Sequence, residues 1–328
     1  MLKFVMNIAI VLAATTLLIG GTSYSIALNA SCLDMPHCYQ LNDFFGLQPP
    51  LLLPNTTFLT AVQLESNSPL LHHQLAGILG FCVAIIFLMC QWQKRNRLLA
   101  TLIFSLLCLQ SALGWWTLTP NSMHVAAALH VAGGLSLLSL LVLLRVQVKV
   151  PFKITQEPQL APLIPIAWLS VALLFMQFSI NAWNAAHVAG LACGSLTVCE
   201  PSWMRQFSLS TSFNLQSPAN SLNKLSAMSL WPAGHTVQNL GTLASLVVVS
   251  GLALAVLARA RTGIMRGLAL SLPGLFILQL GLGRLTLITQ EPLTDVLAQN
   301  VVAGCLSVVV TLFIYQLYQR CCQSMALV

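Results

Sequence analysis

Residues 69–92 read PLLHHQLAGILGFCVAIIFLMCQW. From Leu75 onward the segment carries no charge and does not alternate between apolar and polar positions. A continuous apolar run of this length fits a helix across a bilayer, whereas a barrel strand is shorter and alternates. His72 and His73 stand at its mouth. Imidazole gains nothing from hydrocarbon, so the pair must meet something on a neighbouring element.

The rest of the chain agrees with that segment. Its 328 residues are 57% hydrophobic and only 6% charged, with mean hydropathy +0.83. Soluble domains carry roughly 25% charged residues, so this chain cannot cover a water-facing surface. Spanning helices need roughly 20 apolar residues, and eight runs qualify, at about 4–28, 71–91, 98–118, 124–145, 161–184, 235–258, 264–288 and 296–319. The expected fold class is an all-α integral membrane protein with eight transmembrane helices.

Lys and Arg set the orientation. Lys3, Lys94, Arg95, Arg97, Arg145, Lys149, Lys153, Arg259, Arg261, Arg266 and Arg320 fall on one side of an eight-span arrangement. The acids Asp34, Asp43, Glu65, Glu200, Glu291 and Asp295 fall on the other, and only Glu157 joins the basic side. Both termini are therefore expected in the cytoplasm, with the bacterial inner membrane as the expected location. The net charge of +7 is scattered over short loops, which argues against nucleic-acid binding and for lipid contact. The first run is read as an uncleaved anchor, being long for the apolar part of a signal peptide.

A repeat divides the chain. LQSALGWWTL (109–118) and LQLGLGRLTL (278–287) share Leu, Gln, Leu, Gly, Thr and Leu at matched places, 169 residues apart. CLDMPHC (32–38) and CGSLTVC (193–199) share the spacing C-x5-C, 161 residues apart. The reading is two tandem four-helix units, residues 1–150 and 151–328, in the same orientation and related by an axis along the membrane normal.

Four-helix units hold ligands between facing helices. His72 lies near the outer end of the second run and His130 one to two turns into the fourth, at nearly matched depth. Two such imidazoles on different helices can ligate a heme iron from both faces. The bland alternative is polar glue between helices. His73 points roughly 100° away from His72 and cannot share its role. It is read, with His124, as a wet residue at the rim. The glycines of LAGILG (75–80) and VAGG (131–134) leave room for a flat macrocycle or a close helix.

These segments resemble the heme A synthase family of CtaA type. PLLHHQLAG is similar to the family's second-helix motif E-x-x-H-R-x-x-A-G and places His72 at a heme ligand. HVAGG (130–134) is similar to H-L-x-G-G and places His130 at the second ligand. LQSALGWWTLT (109–119) and NAWNAAHVAGLAC (181–193) resemble further family stretches, so the resemblance spans nearly the whole chain. It implies eight helices in two halves and conversion of heme O to heme A, the C8 methyl becoming a formyl group for cytochrome oxidase. It implies a substrate heme in the N-terminal half and a heme b cofactor in the other. Heme O synthase and cytochrome oxidase assembly factors are the implied partners.

The chain departs from the family at named positions. Pro69 stands where the family has the glutamate of the reaction site, and Glu65 is seven residues before His72. The C-terminal ligand motif H-W-x-H-R-x-G reads HTVQNLG (235–241), and A-H-N-A-V-A reads AQNVVA (298–303), so Gln238 and Gln299 occupy the ligand places. An amide oxygen is a far weaker iron ligand than imidazole. His235, one turn away, is the candidate stand-in. The catalytic residues stay unassigned.

Cys32, Cys38, Cys193 and Cys199 lie on the oxidising side, and disulfides Cys32–Cys38 and Cys193–Cys199 are expected. A metal site of Cys32, His37 and Cys38 is the alternative for the first pair. Arg284 is read as snorkelling outward. No phosphate loop, dinucleotide fingerprint or hydrolase elbow is present. The leading expectation is an oxidoreductase of heme A synthase type. Its rivals are a non-catalytic heme-binding or oxidase-assembly protein, and a heme-free transporter whose histidines relay protons.

Overall fold

The computed structural model describes the backbone of residues 1–33, 56–116, 123–148, 155–186, 224–289 and 292–322, and the side chains of most of them. Among these residues there are helices and no strands. The helices are α1 (Leu2–Leu33), α2 (Thr56–Trp92), α3 (Arg97–Trp116), α4 (Met123–Gln147), α5 (Ile164–Ala186), α6 (Lys224–Arg259), α7 (Gly263–Thr289) and α8 (Pro292–Cys322). A short 3₁₀ turn, Pro158–Leu163, leads into α5. All eight are long and apolar enough to cross a membrane. The 20 residues of α3 span about 30 Å, the thickness of a bilayer's hydrocarbon core.

Two helices run further than the apolar periodicity predicts. α2 begins at Thr56 rather than near 71, and α6 at Lys224 rather than near 235. The added residues, TTFLTAVQLESNSP (56–69) and KLSAMSLWPAG (224–234), mix polar with apolar positions and so do not read as a continuous apolar run. The stretches Leu70–Trp92 and Leu240–Arg259 of these helices are apolar enough to cross a membrane.

The packing is consistent with two four-helix units. α1 packs on α2 and α4, and α3 packs on both α2 and α4. α5 packs on α6 and α8, and α7 on both α6 and α8. α1 and α4 then meet α5 and α8. The buried apolar residues form two clusters. One holds Met6, Ile86, Ile103, Leu141 and Leu144; the other holds Leu174, Leu252, Met265, Leu272, Phe276 and Phe313. Lipid is as apolar as leucine, so helix association rests on close packing and on polar contacts rather than on escape from water. Small residues accordingly mark the close approaches: Ala9 and Ala13 on α1, and Ala126, Ala127, Ala128 and Ala132 on α4, are buried. Large apolar side chains such as Phe81, Leu98, Val247 and Leu254 point outward, where lipid solvates them.

Polar contacts fix the assembly at two levels. Between the halves, Ser139 and Ser307 Oγ atoms lie 2.6 Å apart, and Ser307 donates to the Leu135 carbonyl at 3.1 Å. At the basic end, Arg145 Nε donates to Asn7 Oδ1 at 2.8 Å, tying α4 to α1. The tight α2–α3 turn places Lys94 and Asn96 at φ 53°, a conformation asparagine tolerates better than lysine.

Glu157 organises the basic end of the C-terminal helices. It is 0% exposed and its partner Arg320 is 5% exposed, with Nη1 to Oε1 at 3.2 Å. The Arg261 amide donates to Oε2 at 2.7 Å, and the Thr262 hydroxyl donates to Oε1. Burial pushes the Glu157 carboxyl up, but the Thr262 hydroxyl, the Arg261 amide and the Arg320 guanidinium together hold it below its ordinary value of 4.5. The one acid on the basic side is thus the staple for the 3₁₀ turn, the α6–α7 turn and the end of α8.

Candidate functional site

The two histidines singled out by depth come together. The His72 and His130 ring centroids are 6.3 Å apart at an interplanar angle of 66°. Two metal–nitrogen bonds of about 2 Å in line, with half an imidazole beyond each, set ring centroids roughly 6–6.5 Å apart. The observed centroid separation falls within that range.

His72 is braced by main chain. Its Nδ1 donates to the Thr16 carbonyl of α1 at 3.1 Å. That fixes the tautomer and leaves Nε2 with its lone pair, the arrangement in which a ligating histidine is usually held. The brace depends on Gly20. A Cβ there would lie 2.8 Å from His72 Cε1 and 2.9 Å from Nδ1. Only a residue without a side chain lets the ring reach a carbonyl one turn back along α1.

His130 has a looser glycine neighbour. A Cβ at Gly114 of α3 would come 3.4 Å from its Cε1. His130 meets the Gln110 main-chain carbonyl of α3, and both side-chain amide atoms of Gln110, a residue 6% exposed, are buried without a hydrogen-bond partner. Buried polar atoms nearly always have partners, so orphans beside a matched imidazole pair suit a site that completes itself with a ligand. The Gln110 amide lies directly against Gly133, which leaves no room for a side chain there. Gly134 meets Leu17, where a Cβ would come within 2.8 Å.

VAGG serves close helix approach, Gly80 of LAGILG meets Leu107 of α3, and Gly77 is exposed with open space beside it. The glycines beside the imidazoles are Gly20 and Gly114. Gly20 lies in LIGG of α1, a glycine pair within an apolar run, and that signal was available in the sequence. His73 is exposed, its ring 5.7 Å from that of His72 and steeply inclined to it at 73°.

In the C-terminal half, Gln299 Nε2 donates to the Leu282 carbonyl at 3.3 Å. Gln177, 3% exposed, donates from Nε2 to Thr242 Oγ1 at 2.6 Å, joining α5 to α6. Pro69, Glu65, His124, His235 and Gln238 lie on described helices, but their side chains, with those of Cys32 and Arg284, fall outside the described residues. His37, Cys38, Cys193 and Cys199 fall wholly outside, so both expected disulfides do too. Cys82, Cys90, Cys108 and Cys305 are free thiols, and the Cys321 thiol donates to the Glu157 carbonyl at 3.5 Å.

Comparison with known proteins adds a family. The family model described as cytochrome oxidase assembly protein, COX15-CtaA, matches residues 69–311. The chain is similar to the heme A synthase of Shewanella oneidensis, 26% identical over 334 residues that cover 97% of each chain.

Proposed function

This chain belongs to the COX15-CtaA family of cytochrome oxidase assembly proteins, and we propose that it is a membrane oxidoreductase of heme A synthase type, with heme O as substrate and heme A as product. The observation that carries the reading is the His72–His130 pair, two imidazoles on α2 and α4 with centroids 6.3 Å apart. The residues fit a heme. Nitrogen donors suit its iron, a Cβ at Gly20 would crowd one of them, and the unpartnered Gln110 amide lies on the helix beside the other.

Heme iron supplies the redox chemistry that turning a methyl into a formyl group requires. The protein's part is to hold and orient. The Thr16 carbonyl keeps the His72 proton on Nδ1 and its lone pair on Nε2. His130 supplies the second donor from α4. Apolar walls on α1, α3 and α4 keep water from the buried portion of the site, which suits a hydrophobic substrate entering from the bilayer. The site's end of the helices is opposite the basic loops, so the pair is assigned to the outer half of the bacterial inner membrane, with both termini cytoplasmic.

Pro69 favours a second reading. With no carboxylate at the family's reaction position, the chain would bind heme and serve oxidase assembly without oxidising it. The test is expression with a heme O source, followed by chromatography of extracted hemes and a reduced-minus-oxidised spectrum of the purified protein. Heme A beyond the vector control supports the enzyme. A bis-histidine spectrum with no heme A supports the assembly reading. His72→Ala and His130→Ala each remove the spectrum in both readings. A wild-type protein without heme refutes both.

A further inference from the structure

We infer that the C-terminal half of this chain is a heme-free scaffold, and that the chain carries one heme site only, at His72 and His130. The inference rests on the proposed function above, since it counts the hemes that this reading introduces.

The internal repeat allows a residue-by-residue comparison of the halves. An offset of 169 carries Leu113 to Leu282, Gly114 to Gly283 and His130 to Gln299; an offset of 161 carries Thr16 to Gln177. At the α3–α4 corner of the first half, a nitrogen-donor side chain, the His130 imidazole, sits beside Gly114. At the matching α7–α8 corner, Gln299 turns its amide donor onto the Leu282 carbonyl at 3.3 Å. That side chain ties one helix to the next.

The α1–α2 corner gives the same contrast. In the first half, the Thr16 carbonyl braces the His72 ring. At the matching α5–α6 corner, Gln177 reaches across and donates to Thr242 Oγ1 at 2.6 Å, and a Cβ at Gly241 would come 3.1 Å from its Oε1. A buried amide–hydroxyl bond now spans a corner where the first half offers a metal-binding nitrogen.

The donor chemistry points the same way. Bis-axial heme sites use imidazole, thioether or thiolate donors. The two ligand places of the C-terminal half carry Gln238 and Gln299, and amide oxygen suits hard cations instead. His235 lies one turn from Gln238 on α6, but with Gln299 opposite it could at best be one ligand without a mate.

The test counts hemes. The full-length chain is purified in detergent from cells supplied with both heme b and heme O, and heme is quantified as the pyridine complex against protein by amino-acid analysis. One heme per chain is expected, falling to none in His72→Ala or His130→Ala and staying at one in His235→Ala. Size-exclusion profiles establish that each variant is folded. Two hemes per chain, or a heme that survives His72→Ala and disappears in His235→Ala, overturns the inference while leaving the heme-binding reading intact. No heme in the wild type overturns both.

Discussion

Adding one methyl group at position 20 should disable the heme site, whereas adding one at position 114 should not. In Gly20→Ala the new carbon would lie 2.8 Å from His72 Cε1 and 2.9 Å from Nδ1. Carbon atoms rest at about 3.5–4.0 Å, so the ring must retreat by roughly 0.7 Å or more. The retreat stretches the hydrogen bond to Thr16, worth about 1 kcal/mol, and overpacking adds about 1–3 kcal/mol. A displaced imidazole therefore costs about 2–4 kcal/mol of heme affinity, or roughly 30-fold to 1,000-fold. In Gly114→Ala the corresponding contact to His130 Cε1 is 3.4 Å, which a shift of a few tenths of an ångström relieves. The change there should be below about 1 kcal/mol, less than tenfold. Heme titration of the two purified variants, followed by Soret absorbance, measures both. Equal affinities in Gly20→Ala and Gly114→Ala, both near wild type, would refute the packing of His72 against α1 and the brace derived from it.

Glu157→Gln should lower detergent-state stability by about 3–5 kcal/mol, because it leaves Arg320 buried without its counter-charge. The carboxyl is held below 4.5 in the folded chain, so its contribution is present above that pH and is lost as pH falls through the lower folded value. Thermal melts of the wild type should therefore weaken on acidification below about pH 4.5, and those of Glu157→Gln should lack this component; parallel curves would contradict it. A double-mutant cycle on Ser139→Ala and Ser307→Ala should give a coupling of about 0.6–1.7 kcal/mol between the halves, and additivity would remove their bond as a contact of consequence. Gln110→Leu should leave the melting temperature of heme-free protein unchanged or higher, since both amide atoms lack partners. A drop equivalent to more than about 1 kcal/mol would mean that the amide has one.

Much of this architecture can be read without coordinates, for physical reasons. A chain with 6% charged residues has no choice but lipid, and eight apolar runs of spanning length name the helices. The pairing of His72 with His130 is legible because alternate helices of an up-down bundle run the same way, so equal distances from their outer ends are equal depths. The Thr16 brace is not legible, because a carbonyl carries no sequence letter and its access is set by how α1 lies against α2. The reach of α2 back to Thr56 is hidden for a related cause: turns that mix polar with apolar residues leave no continuous apolar run to read. Gln299 is readable as a lost ligand, but its partner, the Leu282 carbonyl, emerges only from the packing of α7 on α8.

The brace on His72 also decides which mutations matter. Its acceptor belongs to the main chain, so the brace does not need the hydroxyl at position 16, and Thr16→Ala keeps the acceptor intact. Sensitivity moves four residues along the helix to Gly20, where the requirement is for nothing at all. An inherited lesion that weakens this site could therefore be a small residue made slightly larger, distant in sequence from every histidine and chemically unremarked.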